Sequence, residues 1–256
     1  MSEPFVPLKL EPAYRKVAAA LMERITGGAL KPGERLPAEL ELARQLGVHR
    51  STIREALREL ESAGLLRRER GSKLMMVSRP DRLAVASGVT RALTLHEATV
   101  AEVWETMTII EPTVAELAAR RKTAASVAAL AATVDGALHP QTAQAAAQAA
   151  DFFRALATVA GNSVVSLSQE PLLQLLDSSL RRLIDVVPQA RSRIAGAQRR
   201  ILEAVERGDA AAARTWCEKH IRDYRRGFEL AGIDLGLPIS AVGGASLRTK
   251  IRSRRR

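Results

Sequence analysis

A single cysteine, Cys217, is present in 256 residues, so no disulfide can form within the chain. No stretch approaches the roughly 18 consecutive apolar residues of a membrane span, and the first residues lack the basic, apolar and small-residue order of an export signal. Catalytic constellations are missing as well. Cys217 lies between Trp216 and Glu218 with no matching His and Asn, and the chain has no glycine loop of the phosphate-cradling type and no metal-ligand cluster. These absences point away from a membrane protein, a disulfide scaffold and an enzyme. They lead to the expectation of a cytoplasmic protein without a cofactor, long enough for two domains with separate cores.

Acidic residues are missing from one region only. The formal net charge is +11, of which residues 1–80 carry +5 and residues 237–256 carry +6 with no acid at all, while residues 81–236 are balanced. Basic excess confined to the two ends fits a polyanionic partner better than general solubility does, although solvated Arg/Glu helix faces are common. The last twenty residues, with six cations and many small side chains, are expected to be disordered. They either add phosphate contacts or are a solvated extension.

Residues 39–57, ELELARQLGVHRSTIREAL, carry the most information. Leu42, Ala43 and Leu46 fall on one face of a short helix, Gly47 permits a turn with positive φ, and Val48, Ile53, Ala56 and Leu57 form the inward face of a second helix. Arg50, Ser51, Thr52, Arg54 and Arg58 are left to point outward. The pattern is that of a helix-turn-helix, or of a plain helical hairpin with solvated arginines. Upstream, apolar residues at 14, 17, 18, 21, 22 and 25 predict another amphipathic helix ended by Gly27-Gly28. Downstream, runs at 65–70 and 74–77 around Gly71-Ser72 predict a small β-hairpin, or wing.

With these elements in place, the segment GGALKPGERLPAELELARQLGVHRSTIREALRELESAGLLRRERGS resembles the winged-helix domain of the GntR family of bacterial transcription regulators. The resemblance implies that Arg50 and Arg54 read the major groove and that Ser51 and Thr52 meet phosphates or base edges. It places Arg70 and Gly71 at a wing tip near the minor groove. Arginine's planar fork can bridge guanine O6 and N7, and short hydroxyl side chains near a helix start suit phosphate oxygens. Two positions depart from the family pattern: His49 stands where a capping Ser or Thr is usual, and Leu40 where many members have a DNA-contacting arginine.

From Ala84 onward the sequence is alanine-rich, strand-like runs are scarce, and helical spacing recurs between breaks expected at Gly88, 136–140, Gly161-Asn162, Pro188, Gly208-Asp209 and 232–238. The tract 141–150 is read as helix because alanine is the best helix former and lets neighbours approach closely. An all-α bundle follows. The blocks IIEPTVAELAARR, FFRALATVAGN and RRILEAVERGDAAAARTWCEKHI resemble the FCD ligand-binding domain of FadR-like GntR regulators over roughly residues 85–230. That resemblance implies a homodimer with a small-molecule effector and, in many members, a divalent metal held by one Asp and three His. Here the ligand positions fall on Ala149, Phe153, Gln198 and His220, so no metal site is expected; Asp151 is two residues out of register, about 200° around the helix. A common arginine is replaced by Met107. If the family's cavity persists, Met107, Phe153, Gln198 and His220 would wall it, and an acyl or aromatic effector would suit it better than a small carboxylate. His220 could equally be a satisfied core residue, and the Trp216, His220, Tyr224 stripe could be packing alone.

The expectation is therefore a mainly α protein: a winged helix over 1–80, an all-α effector-binding and dimerisation bundle over 81–236, and a basic tail over 237–256. Its function would be DNA-binding transcription regulation at an inverted-repeat operator, modulated by an effector. The alternative is a dimeric DNA-binding regulator whose degenerate bundle takes no small molecule.

Overall fold

A computed structural model describes residues 11–69 and 74–242. The chain divides into two compact units, Met1–Ala84 and Val85–Arg256.

The first unit is built from α1 (Ala13–Thr26), α2 (Glu39–Leu46), α3 (Arg50–Ser62), β1 (Leu66–Arg68) and β2 (Met75–Val77). Gly47 ends α2 at φ 64°, a left-handed conformation that costs a residue with a Cβ far more than it costs glycine, and so turns the chain sharply into α3. In α3, Ile53, Ala56, Leu57 and Leu60 recur at helical spacing and are buried against Val17, Ala18 and Leu21 of α1 and Leu42 and Ala43 of α2. Leu46, expected inside, is 40% exposed because it lies in the last turn of α2, beyond the reach of that core.

The hairpin is antiparallel, with Leu66 opposite Val77 and Arg68 opposite Met75. Its two-residue alternation buries Leu66, Met75 and Val77. The lead-in to α2 supplies a third line of pairing: Gly33 N–H donates to Val77 O, Val77 N–H to Glu34 O and Leu36 N–H to Met75 O, each at 2.8 Å. This covers one edge of the wing and buries Leu36.

Helix α4 (Arg82–Leu95) begins in the last residues of the first unit, and the second continues with α5 (Val100–Arg121), α6 (Ala124–Ala131), a 3₁₀ turn (Gly136–Leu138), α7 (Thr142–Ala160), α8 (Ser163–Val186), α9 (Ala190–Arg207) and α10 (Ala210–Leu230). The alanine tract lies in α7, whose buried Ala145, Ala146, Ala149, Phe152, Phe153, Leu156 and Ala157 put small side chains where helices come close. Gly227 of α10 serves the same purpose, since an added Cβ would stand 2.7 Å from Leu183 Cδ1. Caps set several starts: Thr99 and Glu102 bond each other's backbone at α5, and Asn162 accepts from two amides at α8.

Two expectations are corrected. Gly88 does not break the chain but sits within α4; the break is at 96–99, where Thr99 caps the next helix. The region from 237 onward is not wholly a tail. Ile239 N–H donates to Ala98 O, Val100 N–H donates to Leu237 O, and Ile239 and Val242 are buried, so residues 237–242 complete the bundle. Residues 243–256 lie outside the described ones. Among the described residues no helix is long and apolar enough to cross a membrane.

Helices α5 and α8 each run through an internal proline directly preceded by a buried glutamate. Glu111, fully buried, accepts from Gln169 Nε2 through both carboxylate oxygens at 2.8 Å. Glu170 takes a two-pronged bond from Arg154 of α7. Burial raises the Glu111 pKa to about 8, against a smaller lowering by the Gln169 bond. A carboxyl with a raised folded pKa contributes stability that is complete below its unfolded value, near 4.5, and is lost as pH rises through 8. The bundle should therefore lose stability between these limits at up to about 1.4 kcal/mol per pH unit from this group. Glu111→Gln should flatten that slope in urea titrations across the window; an unchanged slope would assign the carboxylate a compensated charge.

Candidate nucleic-acid interface and effector cavity

The inward face of α3 dictates what its outer face presents. Arg50, Ser51, Arg54 and Arg58 are exposed and Thr52 is half-buried. His49 stands at the N-cap in extended conformation, but its side chain caps nothing; Nδ1 lies 3.0 Å from Ser51 Oγ. Among the described residues the first amides of α3 thus have no capping side chain, and two hydroxyls lie beside them. An uncapped helix start of this kind suits an anionic oxygen.

Two of the three outward arginines are held by one carboxylate. Arg50 Nε donates to Glu39 Oε2 at 2.9 Å and Arg54 Nη2 to the same oxygen at 3.2 Å. Glu39 lies in the first turn of α2, where the helix dipole favours negative charge. Its pKa is lowered, chiefly by the Arg54 hydrogen bond and against some desolvation, so it remains a carboxylate. Leu40, next to it, is 71% exposed. On the wing, Arg67 and Arg68 are exposed and Glu69 pairs with Arg35 at 2.5 Å. Arg70 and Gly71 lie outside the described residues.

In the bundle, Ala149, Phe153, Gln198 and His220 come together although they belong to three helices. Gln198 Nε2 donates to Ala149 O at 3.1 Å, and the Phe153 and His220 rings stack with centroids 5.6 Å apart and planes within 5°. Gln198 Oε1 and His220 Nε2 are buried without a hydrogen-bond partner among the described residues. Burial lowers the His220 pKa to about 4, which keeps the imidazole neutral. One imidazole beside a phenyl ring and an amide does not fit a divalent metal, whose sites need three or more protein ligands; no group of three His, Cys, Asp or Glu among the described residues would hold one. Asp151 points elsewhere, to Arg154 at 2.8 Å.

The four expected wall residues do not enclose one space. Met107 and Phe153 border an apolar crevice of about 20 Å³ with Leu173, Leu176, Leu180 and Phe228. His220 borders a second cavity of about 150 Å³ between the C-terminal end of α8, the start of α9 and α10, and Tyr224 lines both spaces. Gln198 lines neither. The stripe of rings omits Trp216, which lies under Lys219 and Arg200. It runs instead from Phe153 through His220 and Tyr224 to Phe228. Sequence reasoning missed Arg193, Asp223 and Arg226, which also line the larger cavity, Arg193 and Asp223 as a 2.9 Å ion pair. Helical spacing carried the signal: Asp223 follows His220 by three residues and Gly227 by minus four on one helix face.

Comparison with known proteins agrees with this division. Residues 13–74 match the family model of bacterial regulatory proteins of the gntR family, and residues 102–223 match the FCD domain model. An uncharacterized HTH-type transcriptional regulator, Rv0494 of Mycobacterium tuberculosis, is 32% identical over 171 residues, which are 65% of this chain and 69% of that one. The histidine utilization repressor of Klebsiella aerogenes is 48% identical over 60 residues, 23% of this chain and only 25% of the repressor's length. Among solved structures, Streptococcus agalactiae GntR superposes with a TM-score of 0.61 at 27% identity, covering 83% of this chain and 99% of its own. These relatives are regulators, and no enzyme family is indicated. With its winged helix joined in sequence to an FCD bundle, the chain belongs to the GntR family of bacterial transcription regulators.

Proposed function

We propose that this regulator acts in the cytoplasm as a homodimer that lays one α3 from each copy into the major groove of an inverted-repeat operator. The observation that carries the reading is the outward pair Arg50 and Arg54, one helical turn apart on a helix whose other face is locked in the core. Ser51, Thr52, His49 and the uncapped start of α3 supply phosphate contacts, and the wing, with Arg70 and Gly71, lies toward the minor groove. A two-fold dimer repeats these contacts on the second half-site.

The bundle, in this reading, senses a small molecule through the 150 Å³ cavity. A dry cavity of about that size admits a benzene-sized body, which favours a ring-sized ligand over a long acyl chain. Leu183, Ile194 and Leu230 offer apolar wall, while Tyr224 and the Arg193, Asp223, Arg226 group offer polar contacts. An aromatic ligand bearing one polar or anionic group combines these requirements. It would alter operator affinity to the extent that it binds one arrangement of the dimer more tightly than another.

Arg54→Ala should weaken binding to an operator selected from random duplexes by roughly 1–3 kcal/mol at fixed salt. Equal affinity of variant and parent would remove α3 from base reading. For the cavity, small aromatic acids should raise the melting temperature of the parent protein but not of Ile194→Trp, which fills the space. A screen in which no such compound separates the two proteins would leave the bundle as a dimerisation device only.

A further inference from the structure

We propose that Glu39 is a positioning residue for sequence recognition: one carboxylate oxygen on α2 holds the guanidinium groups of Arg50 and Arg54 in the arrangement in which they meet the bases. The proposal rests on the reading that these two arginines reach base edges.

Two like-charged side chains four residues apart on a helix repel each other, and each long arginine chain samples many rotamers in water. Both penalties fall on binding if the pair must be ordered by DNA. Glu39 removes them beforehand. Its side chain is only 24% exposed, whereas those of Arg50 and Arg54 are 56% and 47% exposed, so the carboxylate is the fixed member of the triad and the cations are the presented ones. The fixing is structural: Glu39 opens α2, and α2 is packed on α3 through Leu42 and Ala43 within the same core as Ile53 and Ala56. A contact group on one element is thereby oriented by a supporting group on a neighbouring rigid one.

The donor inventory supports a readout-competent geometry. Arg50 commits only its Nε–H to Glu39, which leaves both terminal amino groups, the pair that spans guanine O6 and N7. Arg54 commits one N–H of Nη2 and keeps Nε and Nη1. The carboxylate does not compete for the outward edges.

A negative charge facing a polyanion has a second consequence. It opposes phosphate-driven binding to any sequence, while orienting the groups that recognise one sequence. Glu39 should therefore lower non-specific affinity and raise discrimination, two effects of opposite sign that a residue supporting only the fold would not produce.

The test uses the full-length protein and an operator selected by it from random duplexes. Fluorescence anisotropy at fixed salt gives affinities for that operator and for an unrelated duplex, with Glu39→Gln, Glu39→Ala, Arg50→Ala, Arg54→Ala and the double Glu39→Gln/Arg54→Ala variant. Circular dichroism and melting temperature check that each variant is folded. Glu39→Gln should reduce the operator-to-unrelated affinity ratio by about tenfold, the scale of one bidentate base contact, with affinity for unrelated DNA unchanged or increased. The double variant should lose less than the product of the two single losses. If Arg54→Ala reduces the ratio but Glu39→Gln and Glu39→Ala do not, or if they increase it, the clamp is a surface ion pair or a brake, and the proposal is overturned while base reading stands. If neither arginine variant changes the ratio, base reading itself fails and the proposal fails with it. A parallel fall in both affinities would mark Glu39 as a fold residue and also overturn it.

Discussion

Helix α3 is amphipathic with a core face only four residues deep, Ile53, Ala56, Leu57 and Leu60, and the first unit is arranged around the need to bury it. Those side chains sit against α1, α2 and the wing. Because the α-helix repeats every 3.6 residues, fixing them inward fixes Arg50 and Arg54 outward with no freedom of rotation about the helix axis. The direction of these arginines is thus a consequence of core packing, and the turn at Gly47 sets the angle at which α2 brings Glu39 beside them. What remains adjustable is the conformation of two arginine side chains, and a single carboxylate constrains both.

The bundle solves a different problem. Among the large aliphatic side chains of its core, close approach of α5, α7 and α10 is eased by alanine and glycine at the contacts. At the positions where the family resemblance would put metal ligands, Phe153 fills space, stacks on His220 and leaves the imidazole neutral, while Gln198 turns its amide to the α7 backbone. A cavity lies beyond His220, toward Arg193, Asp223 and Arg226. This cavity is displaced from the positions where the resemblance would put a metal.

Much of this was readable in the sequence because it is local. Period-3.6 patterning located α1, α2 and α3, the hairpin followed from two short runs about a Gly-Ser turn, and the alanine tract is helix as its propensity implies. The alignment with the FCD blocks brought residues 149, 153, 198 and 220 to one place across three helices. What escaped was pairing between distant residues: the strand-like contact of 33–36 with β2, the Glu111–Gln169 and Arg154–Glu170 pairs, and the docking of 237–242 on the start of α5. Each depends on which elements become neighbours, which no periodicity encodes. Leu46 and Gly88 failed for the complementary reason: a local rule was applied at a helix end that no core covers, and inside a helix that tolerates one glycine. The Glu39 clamp belongs to the first class, since the spacing of 11 and 15 residues between partners crosses a turn whose angle is a tertiary property.

The central claim is that arginines of α3 meet guanines in the major groove of a symmetric site. Methylation interference on the selected operator tests it directly, because dimethyl sulfate places a methyl group on guanine N7 in the major groove and on adenine N3 in the minor groove. The account predicts strong interference from guanine N7 methylation at symmetry-related positions in both half-sites. Interference confined to adenine N3, or none at any guanine, would contradict it.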